Sequence, residues 1–251
     1  MASHTGNPGG RPKSRFLDWL RTRAWLAHLK KTLAAQTDNA LKERLEKHGF
    51  TFPVSKYLAG VDFPKQTTRT LVGKLKRLER ASLVYDIGPE VDGENVPLWR
   101  LFEEVTAEFD EIINAELSRS GKAFQAGDRV GLVGQLFLEP DQWQAIRAQD
   151  EIIFEADNPV QQAAAEGKLT PDLRTLAAVI ACWRLCMLSD DGVAPMEYLL
   201  QCLLVGPYKP LLDEHQIHAQ MTHLVKLLAV EHYGMQGNWD AADAAFGGLA
   251  Q

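Results

Sequence analysis

Apolar residues return every three or four positions along most of this chain, the spacing of one face of an α-helix. Over residues 14–36, Phe16, Trp19, Leu26, Leu29 and Leu33 share a face, while Arg21, Arg23, Lys30 and Lys31 project elsewhere. Thr37 or Asp38 offers an N-cap for a second helix through residue 47, with Leu41 and Leu45 inward, and Gly49 can end it in a left-handed conformation. Pro53 suits the first turn of a short third helix over 53–59, released by Gly60. Pro64 opens a fourth, predicted to run to about residue 80 with Leu71, Leu75 and Leu78 inward.

Gly88-Pro89 and Asp92-Gly93 then mark a turn-rich stretch over 86–97. Leu98, Phe102, Val105, Phe109, Ile112 and Ile113 predict one long helix over 98–118. Residues 130–138 are apolar with two glycines and read as either strand or helix, and 141–154 reads as helix. Thr170-Pro171-Asp172 is a helix start, with the helix reaching residue 188. Asp191-Gly192 turns the chain, and helices over 195–205 and 210–233 follow. The expected fold is mainly α: a disordered lead-in over 1–13, a small basic helical domain over 14–85, a larger acidic helical domain over 98–235, and a flexible tail over 236–251.

Charge changes this picture more than composition does. The formal net charge is −6, but 17 of the 27 Lys and Arg lie in residues 1–80 with only six of the 33 Asp and Glu. The first 80 residues therefore carry +11 and the remainder −17. A basic segment gains counterion-release energy on a polyanion, which the acidic part would avoid. The other outcome of such a dipole is that the two parts dock on each other. No apolar run is long enough to span a membrane, and the polar, Gly-rich start lacks the apolar core of a secretory signal. Cys182, Cys186 and Cys202 sit in apolar helical stretches and read as buried thiols, so the expected compartment is the reducing cytoplasm.

At residues 54–64 the chain reads Val-Ser-Lys-Tyr-Leu-Ala-Gly-Val-Asp-Phe-Pro. With Val54, Ser55, Lys56, Tyr57, Leu58, Gly60 and Pro64 in their places, this segment resembles the third helix and following turn of lambda-repressor-like helix-turn-helix domains. The helix after Pro64, carrying Thr67, Thr68, Leu71 and Leu75, is similar to that family's fourth helix. The resemblance covers about residues 37–80. The chain departs from the family pattern at Arg44 and Leu45, where a small residue is usual, and in a shorter 49–54 connection. The resemblance implies that Ser55 and Lys56 reach base edges or phosphates while Val54, Tyr57 and Leu58 pack beneath them. It implies that Lys65 and Gln66 start a helix against a phosphate. The expected DNA-contacting set is Ser55, Lys56, Lys65, Gln66, Thr67, Thr68, Arg69 and Lys74.

Two other groupings carry possible chemistry. His215 and His218 fall three apart on one predicted helix, with His223 turned away, and read as surface histidines in preference to metal ligands. Glu103, Glu104, Glu108, Asp110 and Glu111 form a carboxylate-rich face that reads as solvated and, less readily, as a Mg²⁺ site. No phosphate loop, dinucleotide fingerprint or nucleophile elbow occurs. The sequence therefore points to a non-enzymatic regulator without cofactor or metal that reads duplex DNA. It is expected to act as a homodimer, since one small module reads few base pairs and apolar faces such as Leu199, Leu200, Leu203 and Leu204 look too large for one domain to bury. The alternatives are an adaptor whose basic third docks an acidic protein and a metal-dependent nuclease.

Overall fold

The computed structural model describes residues 12–149 and 158–235. Among these the chain is mainly helical, with one two-stranded antiparallel hairpin. Helix α1 (Pro12–Thr32) is the element around which the rest is laid. It is buried on more than one side: Leu17, Leu20 and Ala24 join one apolar cluster, and Trp25, Leu26 and Leu29 join a second. The Phe16–Trp19 face is only half-buried, so the inward surface of α1 is wider and differently centred than the three-four pattern indicates.

The second cluster is built from α2 (Asp38–Lys47), α3 (Val54–Leu58), α4 (Gln66–Val72) and α5 (Ala81–Asp86) on that part of α1. Thr37 caps α2 by accepting the Ala40 N–H at 3.1 Å, and Leu41 and Leu45 point inward as the pattern predicts. The fourth helix is much shorter than expected. It ends at Val72, Leu71 is 49% exposed, and the chain reverses through Arg77 at φ 76°. That reversal brings Leu78, Ala81 and Tyr85 under α1, which a straight helix to residue 80 would carry away.

The hairpin pairs β1 (Glu90–Val91) with β2 (Glu94–Asn95) around the Asp92-Gly93 turn. The helix expected over 98–118 is broken. A 3-10 turn over Trp99–Phe102 precedes α6 (Glu108–Arg119). The cause lies on α10 (Leu173–Ser189), whose Arg184 guanidinium donates to the carbonyls of Leu101 and Glu103. Those carbonyls take a tertiary partner in place of helical ones, and Leu98, Trp99, Leu101 and Phe102 are buried around an exposed Arg100.

The ambiguous 130–138 stretch is helical at its start: α7 (Arg129–Gly134), capped by Asp128. Gly134 lies flat against the Trp143 indole of α8 (Pro140–Arg147), where a Cβ would fall 2.1 Å from the ring. The rest of the helix expected over 141–154 lies partly outside the described residues. Helix α9 (Pro159–Ala165) follows. Asp172, and not Thr170, caps α10, accepting the Arg174 N–H at 2.7 Å. Beyond Asp190 and Gly192, both left-handed, comes α11 (Val193–Val205). The helix expected over 210–233 is two, α12 (Lys209–Glu214) and α13 (His218–Met235), parted at Gln216 with φ 57°.

Helix α10 is almost wholly buried between α6 and α11. Leu199, Leu200, Leu203 and Leu204 of α11 have 0% exposure, so this chain alone covers the leucines on which an association surface had been expected. The flexible tail expected over 236–251 lies outside the described residues. No helix of the described residues is long and apolar enough to cross a membrane.

Candidate nucleic-acid interface

The α2–turn–α3 unit rests on aromatic packing. Phe52 sits with its ring centroid 6.0 Å from Trp25, 5.7 Å from Phe50 and 6.5 Å from Tyr57. This stack holds the turn after Gly49 and leaves α3 only five residues long, with Pro53 before it. In that helix Val54 and Tyr57 are buried and Leu58 is half-buried, while Ser55 and Lys56 are exposed. Burial, reinforced by the nearby Asp62 charge, pushes the Tyr57 phenol up from its ordinary value, so it stays neutral.

The end of α3 is pinned to α1. Trp19 Nε1 donates to the Leu58 carbonyl at 2.8 Å, and Arg15 donates to the Gly60 carbonyl at 3.3 Å. Gly60 has φ +66°, and a Cβ there would lie 3.0 Å from the Trp19 ring. The turn glycine is thus required both by its left-handed backbone and by the indole against it.

A shallow cavity of about 370 Å³ opens between α2 and α3, edged by Asn39, Lys42, Pro53 and Ser55. Pro64 is buried, Lys65 stands in extended conformation as the N-cap of α4, and Gln66 and Thr67 are exposed. Thr68 is half-buried. Lys74, Lys76 and Arg77 are exposed on the turn that replaces the predicted end of the fourth helix.

Arg69 differs from the rest of the expected set. Its guanidinium lies 4.0 Å from the Tyr85 ring centroid, donates to the Pro64 carbonyl at 2.8 Å, and pairs with Asp86 at 3.2 Å. It ties α4 to α5 and is held inside the fold. The sequence gives little sign of this, because Tyr85 and Asp86 come close only through the reversal at Arg77.

The cations of α1 are engaged as well. Arg21 pairs with Glu103, and Arg23 donates to the Gln216 carbonyl at 2.7 Å. Lys30 pairs with Asp38 at 2.6 Å and bonds Gln216 Oε1 at 3.2 Å, and Lys31 pairs with Glu214 at 3.0 Å. These four cations therefore tie α1 to Glu103, Glu214 and Gln216 of the later chain. Lys47, Lys56, Lys65, Lys74, Lys76 and Arg77, by contrast, make no ion pair with another described residue. Residues 37–80 hold ten Lys and Arg against five Asp and Glu. The face is not free of acid: Asp62 is exposed between Gly60 and Pro64, with its carboxylate accepting the Phe63 N–H at 2.9 Å.

The other candidate groupings come apart. His215 and His218 are not on one helix: His215 ends α12, and His218 opens α13 with Nε2 2.9 Å from the Leu204 carbonyl. His223 lies against Phe16, ring centroids 4.0 Å apart. In the expected carboxylate face, Glu103 pairs with Arg21, Glu108 with Arg100, and Asp110 with Arg129. Among the described residues no three His, Cys, Asp or Glu side chains are placed to hold a metal ion. The three cysteines are buried free thiols.

No family model matches the chain, and no curated protein or solved structure matches it either.

Proposed function

We propose that this protein is a DNA-binding regulator that contacts duplex DNA through α2, the following turn and α3, the segment that resembles lambda-repressor-like helix-turn-helix domains. One observation carries the reading: the sorting of the cations. Arg21, Arg23, Lys30 and Lys31 of α1 are engaged within the chain, whereas Lys56, Lys65, Lys74, Lys76 and Arg77 stand exposed without an ionic partner among the described residues. Unpaired cations on α3, at the start of α4 and on the turn after it, together with Ser55 outward on α3, are suited to phosphates flanking a groove. Asn39 and Lys42 border the same groove as Ser55 and extend the contacting set. Arg69 leaves it, since its work is internal. A dimer now rests on the pairing of half-sites alone.

The test is fluorescence anisotropy of labelled duplexes with the full chain at several salt concentrations. At ~0.9 log-log slope unit per neutralised phosphate, the five bare cations would contribute a slope of about 4.5 if each met a phosphate. Lys56→Glu should weaken binding by roughly tenfold or more, that is, ~1–3 kcal/mol, with unfolding unchanged. Lys168→Glu, outside the segment and tied only to Glu166 by an exposed surface pair at 2.7 Å, should not. Lys30→Glu is unsuitable as a control because Lys30 is bonded to Asp38 and Gln216. Equal losses in both variants would reduce the interface to diffuse charge. No binding by a folded protein would transfer the exposed cations to an acidic protein partner.

A further inference from the structure

Away from the α2–α3 surface, a cavity of about 410 Å³ opens between α6, α10 and the strand β2 with the residues that follow it. Its size falls within the range of small-molecule sites. The floor is apolar, made by Val96, Pro97, Ile112, Ala115 and Ala177. The walls carry Glu94, Glu108, Glu111 and Glu116 against Arg119 and Arg174.

The two guanidiniums are already satisfied. Arg119 holds Glu116 through two bonds of 2.7 and 2.8 Å and reaches Asp172 at 3.3 Å. Arg174 reaches Asp92 at 3.0 Å, the Val91 carbonyl at 2.7 Å and Asp172 at 3.5 Å. An anion entering here would have to displace those carboxylates. The acids, by contrast, are in excess. Glu108 pairs with Arg100, Glu94 stands 3.9 Å from the already engaged Arg174, and Glu111 makes no ion pair with another described residue. An apolar floor beside the unpaired Glu111 and the loosely held Glu94 favours a cation that also has an apolar body.

We infer that this cavity is a binding site for a small organic cation, an aryl- or alkyl-ammonium whose apolar part lies on Ile112, Ala115 and Ala177 while its charge faces Glu111. The inference does not depend on the DNA-binding reading, since its residues lie outside 37–80 and its test contains no nucleic acid.

Calorimetry on the full chain with three probes of matched shape tests it: 2-phenylethylammonium, 2-phenylethanol and 3-phenylpropanoate. The ammonium should bind most tightly, the alcohol more weakly and the carboxylate not at all. Glu111→Gln should weaken the ammonium by roughly fivefold and leave the alcohol unchanged, the difference shrinking in high salt. Ala115→Trp, at a solvent-exposed position of the cavity lining on α6, should fill the cavity and abolish binding of both, with the unfolding midpoint confirming an intact fold. Binding of the carboxylate or alcohol as tightly as the ammonium would overturn the inference. So would binding untouched by Ala115→Trp, or no binding of any probe at millimolar concentration.

Discussion

Glu197 provides the most quantitative test of the packing. It is 4% exposed on α11, accepts from Tyr233 Oη at 2.5 Å and from Trp183 Nε1 at 3.3 Å, and has no cation paired with it among the described residues. Burial pushes its carboxyl up from 4.5 to about 7, and the two donors offset only part of that. The unfolded chain releases this proton near the ordinary carboxylate value, while the folded chain keeps it until about pH 7. The native state then binds more protons than the unfolded state across that window, so stability falls as pH rises through it. At ~1.4 kcal/mol per tenfold change in proton affinity, the full loss is about 3 kcal/mol, a large share of a typical domain's stability. Urea unfolding followed by circular dichroism at steps from pH 4.5 to 8 should show that decline in the native protein and its absence in Glu197→Gln. The readout is the difference between the two pH profiles. The amide adds a hydrogen-bonding cost of its own, which is constant with pH and drops out of the difference between the profile shapes. Parallel profiles, or native stability rising relative to the variant between pH 5 and 7, would refute the burial argument.

Three further outcomes test individual contacts. Arg69→Ala should cost about 1–2 kcal/mol in urea unfolding, through the lost Tyr85 stacking and Asp86 pair, while folded protein keeps most of its DNA affinity. Gly60→Ala should destabilise by about 1–2 kcal/mol, since it combines a left-handed backbone with a Cβ pressed on Trp19, and a neutral result would mean the turn relaxes freely. Gly134→Ala should lower the thermal midpoint more than Gly60→Ala does, with a cost of about 3 kcal/mol, because the Trp143 ring it meets is fully buried and has nowhere to move.

Local patterning carried the short-range features of this protein. The α2 helix with its Thr37 cap, the brief α3 with Val54 and Tyr57 inward, the left-handed glycines at 49 and 60, and the turn at Asp191-Gly192 are all matters of a few neighbouring residues. The mainly helical class follows from the same periodicity. The exposure of Ser55, Lys56, Lys65, Gln66 and Lys74 was legible too, because a short amphipathic helix has only one way to hide its apolar side. Where distant partners compete with local bonds, the pattern misled. Residues 98–118 look like one helix until Arg184 takes the carbonyls at 101 and 103. Residues 64–80 look like another until Leu78 and Tyr85 have to be brought beneath α1. Charge shows the same division. The +11 over the first 80 residues is a property of the sequence, but which cations of α1 are engaged is decided by Glu103, Glu214 and Gln216, each more than 80 positions away. The leucines of α11 have an apolar face in any context, and only the folding of α10 and its neighbours around them determines that they are core and not an association surface. Periodicity records what a segment prefers to bury, while the tertiary structure sets what is available to bury it against.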